Sequence, residues 1–208
     1  MTGRFIALEG GEGVGKSTQA RLLADVLTKR GIECVITREP GGTPGAEAIR
    51  ALLLDPALPK WEIEAEALLF AAARSDHVAR LIRPTLAAGQ WVICDRFVDS
   101  SRAYQGGAGG LGDEAVLAIH AVGSYGLLPD MTLLLEAQRE ALASRIAARD
   151  GDAADKIGGR GNGFHDRVVD AFSALAAKEP ERFRRIDAGG SPDEVHARIM
   201  AAIEPLLR

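Results

Sequence analysis

Gly10-Gly11-Glu12-Gly13-Val14-Gly15-Lys16-Ser17 is the stretch that decides the fold. It matches the phosphate-binding pattern G-x-x-x-x-G-K-[ST]. Before it, Phe5-Ile6-Ala7-Leu8 predicts a short buried strand, and after it Thr18 to Lys29 predicts a helix. Strand, glycine loop and helix in that order place backbone N–H groups and a helix N-terminus around an anion. Lys16 is long enough to reach the outer phosphates of a nucleotide, and the Ser17 hydroxyl suits a hard cation such as Mg²⁺. A plain glycine-rich turn is the competing reading, and the strand-loop-helix context argues against it.

The rest of the chain continues the alternation. Cys34 to Thr37, Trp91 to Asp95, Met131 to Leu135 and Phe183 to Ile186 predict four further strands. Between them the spacing predicts helices over Ala46 to Leu54, Ile63 to Ala88 with a bend at Pro84, Asp113 to Val122, Gln138 to Arg149 and Phe164 to Lys178. Gly31 reads as the stop of the first helix, and Asp113 as the cap of its own. Arg96 to Gly112, rich in glycine and serine, reads as a loop, and Asp150 to Gly163 as a mobile segment. Ser191-Pro192-Asp193-Glu194 is a capping box that opens the last helix. Alternating strands and helices predict an α/β fold, a parallel sheet covered on both faces. Ligands then bind at the carboxyl ends of the strands, where the phosphate loop, Arg38, Asp95, Arg96 and the segment in the 150s would converge.

Bulk properties narrow the function. The 208 residues suffice for one domain, residues 1–208. The formal net charge of −4 gives no sign of general nucleic-acid affinity. No apolar run is long enough for a bilayer, and the N-terminus lacks the apolar length of a secretion signal. Cys34 and Cys94 lie in apolar strand-like runs without metal-site spacing, as expected of reduced thiols in a cytoplasmic protein.

Four stretches together resemble the bacterial thymidylate kinases, a family of P-loop nucleoside monophosphate kinases. They are the phosphate loop with Glu12 inside it, Thr37-Arg38-Glu39-Pro40-Gly41-Gly42-Thr43, Leu69-Phe70-Ala71-Ala72-Ala73-Arg74, and Asp95-Arg96-Phe97-Val98-Asp99-Ser100-Ser101-Arg102-Ala103-Tyr104-Gln105-Gly106. The last, read as D-R-F-x-x-S-x-x-A-Y-Q-G, is the most specific. The resemblance implies a three-layer P-loop NTPase fold with a five-stranded parallel sheet and a mobile lid at about 150–163. It implies transfer of the γ-phosphoryl group of ATP to dTMP with Mg²⁺, giving dTDP and ADP, and a homodimer.

It also implies roles. Gly10 to Ser17 and Thr18 would hold the phosphates of ATP, with Lys16 at the transferring group, and Ser17 and Asp95 would serve the metal. Arg96, helped by Arg38, would bind the acceptor phosphate, since a guanidinium fork suits phosphate. Glu12 would approach the sugar 3′-hydroxyl and the metal. Phe70 would stack on thymine and Arg74, four residues on, would donate to its 4-oxo group, where cytosine carries an amino donor. Ser100, Ser101, Tyr104 and Gln105 would face base and sugar, with Tyr104 crowding the 2′ position, while Arg102 reads as structural. In the lid, Arg149, Lys156 and Arg160 are the available cations, of which Arg149 first and Lys156 second would supply the charge that the phosphate loop lacks at Gly13, although Asp155-Lys156-Ile157-Gly158 departs from the family's D-R-x-E. Arg145 would stack on adenine, and Asp187-Ala188-Gly189 resembles the adenine-contact loop.

Taken singly, Arg38 and Arg96 are also compatible with surface ion pairs, Phe70 with core packing and Asp95 with a solvated strand end. A kinase for another nucleoside monophosphate is the nearest rival, which a substrate panel separates. A nucleotide-binding switch without phosphotransfer is the rival from another class, and acceptor-independent ATP hydrolysis would favour it.

Overall fold

The computed structural model describes residues 3–137 and 159–207. Five strands form one parallel sheet: β1 Phe5–Glu9, β2 Cys34–Arg38, β3 Trp91–Asp95, β4 Met131–Glu136 and β5 Phe183–Asp187, in the order β2-β3-β1-β4-β5. The register sets Arg38 and Leu8 beside Asp95, and Glu136 beside Asp187, so the strands end level along one edge.

Both faces are covered, and the side-chain alternation of β1 shows it. Ile6 and Leu8 point to a core shared with α1 (Lys16–Lys29) and the last helix, Pro192–Ile203. Phe5 and Ala7 point to the opposite core, with Val78, Ile82, Phe97 and Val116. A strand buried on both faces needs the continuous apolar run that Phe5 to Leu8 supplies.

Among the described residues the α-helices in chain order are α1, α2 (Pro44–Leu54), α3 (Ile63–His77), α4 (Arg83–Ala87), α5 (Val98–Ser101), α6 (Asp113–Ser124), α7 (Asn162–Lys178) and α8 (Pro192–Ile203). α2 begins two residues before its expected start because Thr43 caps it, its hydroxyl accepting from the Ala46 N–H at 3.3 Å. The Ser191 capping box is formed in both directions. Between α3 and α4 the helix widens into a π-type turn at Val78–Ile82. Pro84 has no N–H to return to the preceding turn, so the hydrogen-bond register changes just ahead of it.

Two expectations need correction. Most of residues 96–112 is not a loop: α5 runs directly into a π-type helix at Arg102–Ala108. Its glycines allow close approach, since a Cβ on Gly107 would stand 2.5 Å from the Ala171 methyl of α7. Asp113 does not cap α6, whose N-cap is Gly112. The Asp113 carboxylate instead accepts from Arg102 Nε at 2.6 Å and Nη2 at 3.0 Å. The expected helix at Gln138 to Arg149 and the lid residues up to 158 lie outside the described residues.

Candidate active site

The level strand ends frame a cavity of about 820 Å³. One wall is the phosphate loop from Glu12 to Gly15 with Lys16, Ser17, Thr18 and Gln19 of α1. Gly10 and Gly11 stand behind that wall. A Cβ on Gly10, at φ +131°, would meet the Leu135 carbonyl oxygen at 2.2 Å, so the loop leaves β1 where only glycine fits. Lys16 Nζ donates to the Gly11 carbonyl at 2.7 Å and to the Gly10 carbonyl at 3.2 Å. Burial pushes the Lys16 ammonium down to about 7, and the charge of Arg96 adds to the shift.

Ser17 Oγ donates to Asp95 Oδ2 at 2.6 Å across the gap between α1 and β3. Among the described residues no group of three or more His, Cys, Asp or Glu side chains gathers as a metal cage. One hydroxyl and one carboxylate beside a phosphate loop fit Mg²⁺, which keeps several waters and takes its other ligands from phosphate.

The facing wall is assembled from distant elements: Arg38 of β2, Phe70 and Arg74 of α3, Arg96, and Ser100, Ser101, Tyr104 and Gln105 of the segment after β3. Arg38 is bonded to Glu47 of α2 at 3.1 Å and stays largely exposed. Arg74 is buried; its Nε donates to Glu39 at 2.7 Å and its Nη2 to Ser101 Oγ at 2.8 Å. Glu39 in turn meets His77 Nδ1 at 3.0 Å, whose Nε2 lies 2.7 Å from Thr37 Oγ1. These contacts hold the guanidinium on the cavity wall, away from bulk solvent.

Arg96 is the residue between the two walls. Its backbone is left-handed, at φ 68°, an uncommon state for a residue with a side chain. The conformation is held from both sides: the Arg96 N–H donates to Leu8 O at 3.0 Å, and the Phe97 N–H donates to Glu9 Oε1 at 2.8 Å. The guanidinium donates to Ser100 Oγ at 3.1 Å and lies 5.3 Å from the Tyr104 ring centroid.

Glu9 was not among the site residues expected from the sequence. It ends β1 fully buried and accepts from the Phe97 N–H, from the Ser100 N–H at 3.0 Å and from the Ser100 hydroxyl at 2.6 Å. Burial pushes its carboxyl up to about 7, against the pull of Arg96. The available signal was an acid directly after four apolar strand residues, at the carboxyl end where ligands bind. Glu39 carried no such signal.

Arg102 is structural, as expected. It is buried and bonded to Asp99, Asp113 and Glu179, and Arg182 joins the same cluster through Asp99 at 2.6 Å. That cluster ties α5 and the π-type helix to α6 and β5, and so fixes the wall carrying Ser101, Tyr104 and Gln105. The cavity also reaches Ala188, Gly190, Pro192 and Val195 beyond β5, which places the segment after Asp187 beside the phosphate loop. Arg145, Arg149 and Lys156 lie outside the described residues.

Comparison with known proteins agrees with this geometry. The thymidylate kinase family profile matches residues 8–199. A thymidylate kinase of Rhizorhabdus wittichii is 60% identical over 207 residues, covering 100% of both chains. One of Chromohalobacter salexigens is 51% identical, covering 96% of this chain and 94% of its own. The crystal structure of thymidylate kinase from Ehrlichia chaffeensis superposes with a TM-score of 0.80 at 30% identity, covering 98% of this chain and 100% of that one. With the phosphate loop on one wall and the D-R-F-x-x-S-x-x-A-Y-Q-G segment on the other, the chain belongs to the thymidylate kinase family.

Proposed function

We propose that the chain, acting as a single catalytic domain, transfers the γ-phosphoryl group of ATP to dTMP, giving dTDP and ADP. The observation that carries the reading is the two-walled cavity with Arg96 between its walls. An acceptor phosphate needs no covalent nucleophile, so the protein's work is alignment and charge neutralisation. Lys16, Ser17, Thr18 and the loop amides take the donor phosphates, and the segment at Ala188 takes the adenine side. Ser17 and Asp95 would hold Mg²⁺, which when bound would supply charge neutralisation on the donor.

On the other wall Arg96 binds the acceptor phosphate, with Arg38 behind it. Phe70 stacks on thymine, Arg74 donates to its 4-oxo group, and Gln105 faces the base. Tyr104 and the serines line the sugar, and Glu12 serves the 3′-hydroxyl. Arg149 and Lys156 are the candidate lid cations and Arg145 the candidate partner of adenine. Exposed Leu68 on α3 and Val122 on α6 support pairing of two copies through these adjacent helices, a homodimer that light scattering would test. The two free thiols accord with a reducing cytoplasm.

The deciding experiment is ADP release from ATP with dTMP, dCMP, UMP, AMP and GMP as acceptors. dTMP should give the highest kcat/KM. Preference for another monophosphate would assign a different kinase, and ATP hydrolysis indifferent to every acceptor would assign a switch.

A further inference from the structure

Glu66, Phe70 and Arg74 follow one another at four-residue intervals on α3 and so lie along one face. Phe70 and Arg74 line the cavity, and Glu66, one turn earlier, is 3% exposed. A carboxylate this deeply buried requires partners. It has two: Glu66 Oε1 accepts from Gln105 Nε2 at 2.8 Å, and Oε2 accepts from Arg160 Nη2. The Arg160 guanidinium also lies 4.6 Å over the Phe164 ring at the start of α7.

The consequence concerns Gln105. Its side chain carries a donor NH₂ at one corner and an acceptor oxygen at the other. An ionised carboxylate only accepts, so Glu66 obliges the carboxamide to turn its NH₂ towards α3. Among the described residues no partner takes the remaining oxygen, and Gln105 lines the cavity. A pyrimidine read by that oxygen must offer a donor. Thymine does so through N3–H, whereas cytosine presents an unprotonated N3 and would be repelled.

We propose that Glu66 and Arg160 are positioning residues that lock the Gln105 carboxamide in the orientation that selects thymine over cytosine. The proposal rests on the reading of the cavity as a dTMP site. Arg160 anchors Oε2 of Glu66, as Gln105 occupies Oε1. Without that donor the carboxylate loses one of its two partners and is free to swing, and the amide then loses its fixed sense. The position of Arg160, just before α7, therefore serves the acceptor wall and not the transferring phosphoryl group.

The test uses the full chain and four variants, Glu66→Gln, Arg160→Met, Arg160→Lys and Gln105→Ala, with dTMP and dCMP as acceptors and thermal melting as the check of folding. Glu66→Gln and Arg160→Met should each lower the dTMP-to-dCMP ratio of kcat/KM by about tenfold or more. The change should come through KM for dTMP and leave KM for ATP unmoved. Arg160→Lys, which keeps the charge, should recover most of the ratio. A folded Glu66→Gln with the full wild-type ratio overturns the proposal, as does a loss shared equally by KM for ATP. If Glu66→Gln fails to fold, Arg160→Met decides by the same ratio. Loss of selectivity in Gln105→Ala with none in the folded Glu66 and Arg160 variants overturns the positioning role alone. A wild-type chain that prefers a monophosphate other than dTMP overturns the reading of the cavity, and the proposal with it.

Discussion

The two walls of the cavity are built on opposite principles. The phosphate wall is one contiguous stretch, residues 12–19, which offers backbone amides, the Lys16 ammonium and the hydroxyls of Ser17 and Thr18. The acceptor wall draws on β2, α3 and the helical segment after β3, and three of its polar side chains are each held by a buried acid: Arg74 by Glu39, Ser100 by Glu9, Gln105 by Glu66. A phosphate chain is common to all nucleotides, and a local loop suffices to bind it. A particular base has to be distinguished by donor and acceptor positions, and these must be rigid to discriminate.

The comparison breaks most readily at Lys16. Lys16→Met should lower turnover about 10³-fold or more, because a preorganised charge at the transferring group is lost. The fold should survive, since the ammonium is already disfavoured by burial. Near-normal turnover in a folded variant would remove the phosphate wall from the mechanism.

On the acceptor wall substitutions should act on stability as well as selectivity. Arg74→Ala leaves the buried Glu39 without its cation, and should cost about 3 kcal/mol of unfolding free energy. The same variant should erode the preference for dTMP over dCMP. Denaturant melts read the first effect and competition kinetics the second; an unchanged ratio would place the 4-oxo contact elsewhere.

Glu9→Ala should be milder in stability, about 1–3 kcal/mol, as the Phe97 and Ser100 donors lose their acceptor. It should also lower kcat, because the left-handed Arg96 loses one of its two restraints. A variant with wild-type kcat and lowered stability would confine Glu9 to the fold.

The smallest effect is a proton. Lys16 is pushed down to about 7 and Glu9 up to about 7, and an incoming polyanion raises both. At pH 8 the empty protein therefore holds Lys16 largely neutral and Glu9 largely ionised, and ATP binding should take up a proton, at most about two. Titration calorimetry in buffers of different ionisation enthalpy measures the uptake. Proton release, or no dependence on buffer, would contradict these shifts. Lys16→Met should retain only the contribution of Glu9.

Legibility in the sequence follows the same division. The phosphate loop, α1, the five strands and the Ser191 capping box could be read from short windows, because each rests on contacts within a few residues. Residues 96–112 could not. Their glycines and serines spell a loop, yet residues 98–108 form helix, where Arg102 joins Asp99, Asp113 and Glu179, the last seventy-seven positions away. Asp113 has the composition of a cap and is taken by Arg102 instead. Phe70 and Arg74 were visible as a pair four apart, and both reach the cavity.

Local chemistry thus settled which stretch carries the phosphate-binding pattern, how the strands and helices alternate, and which end of the sheet that pattern lies at, since glycine loops, apolar runs and caps act over a turn or less. Tertiary structure decided which acids stand behind the acceptor wall. Glu9, Glu39 and Glu66 look like ordinary charged residues in sequence. Their function arises from burial, which obliges each carboxylate to find donors and so fixes the groups that face the substrate.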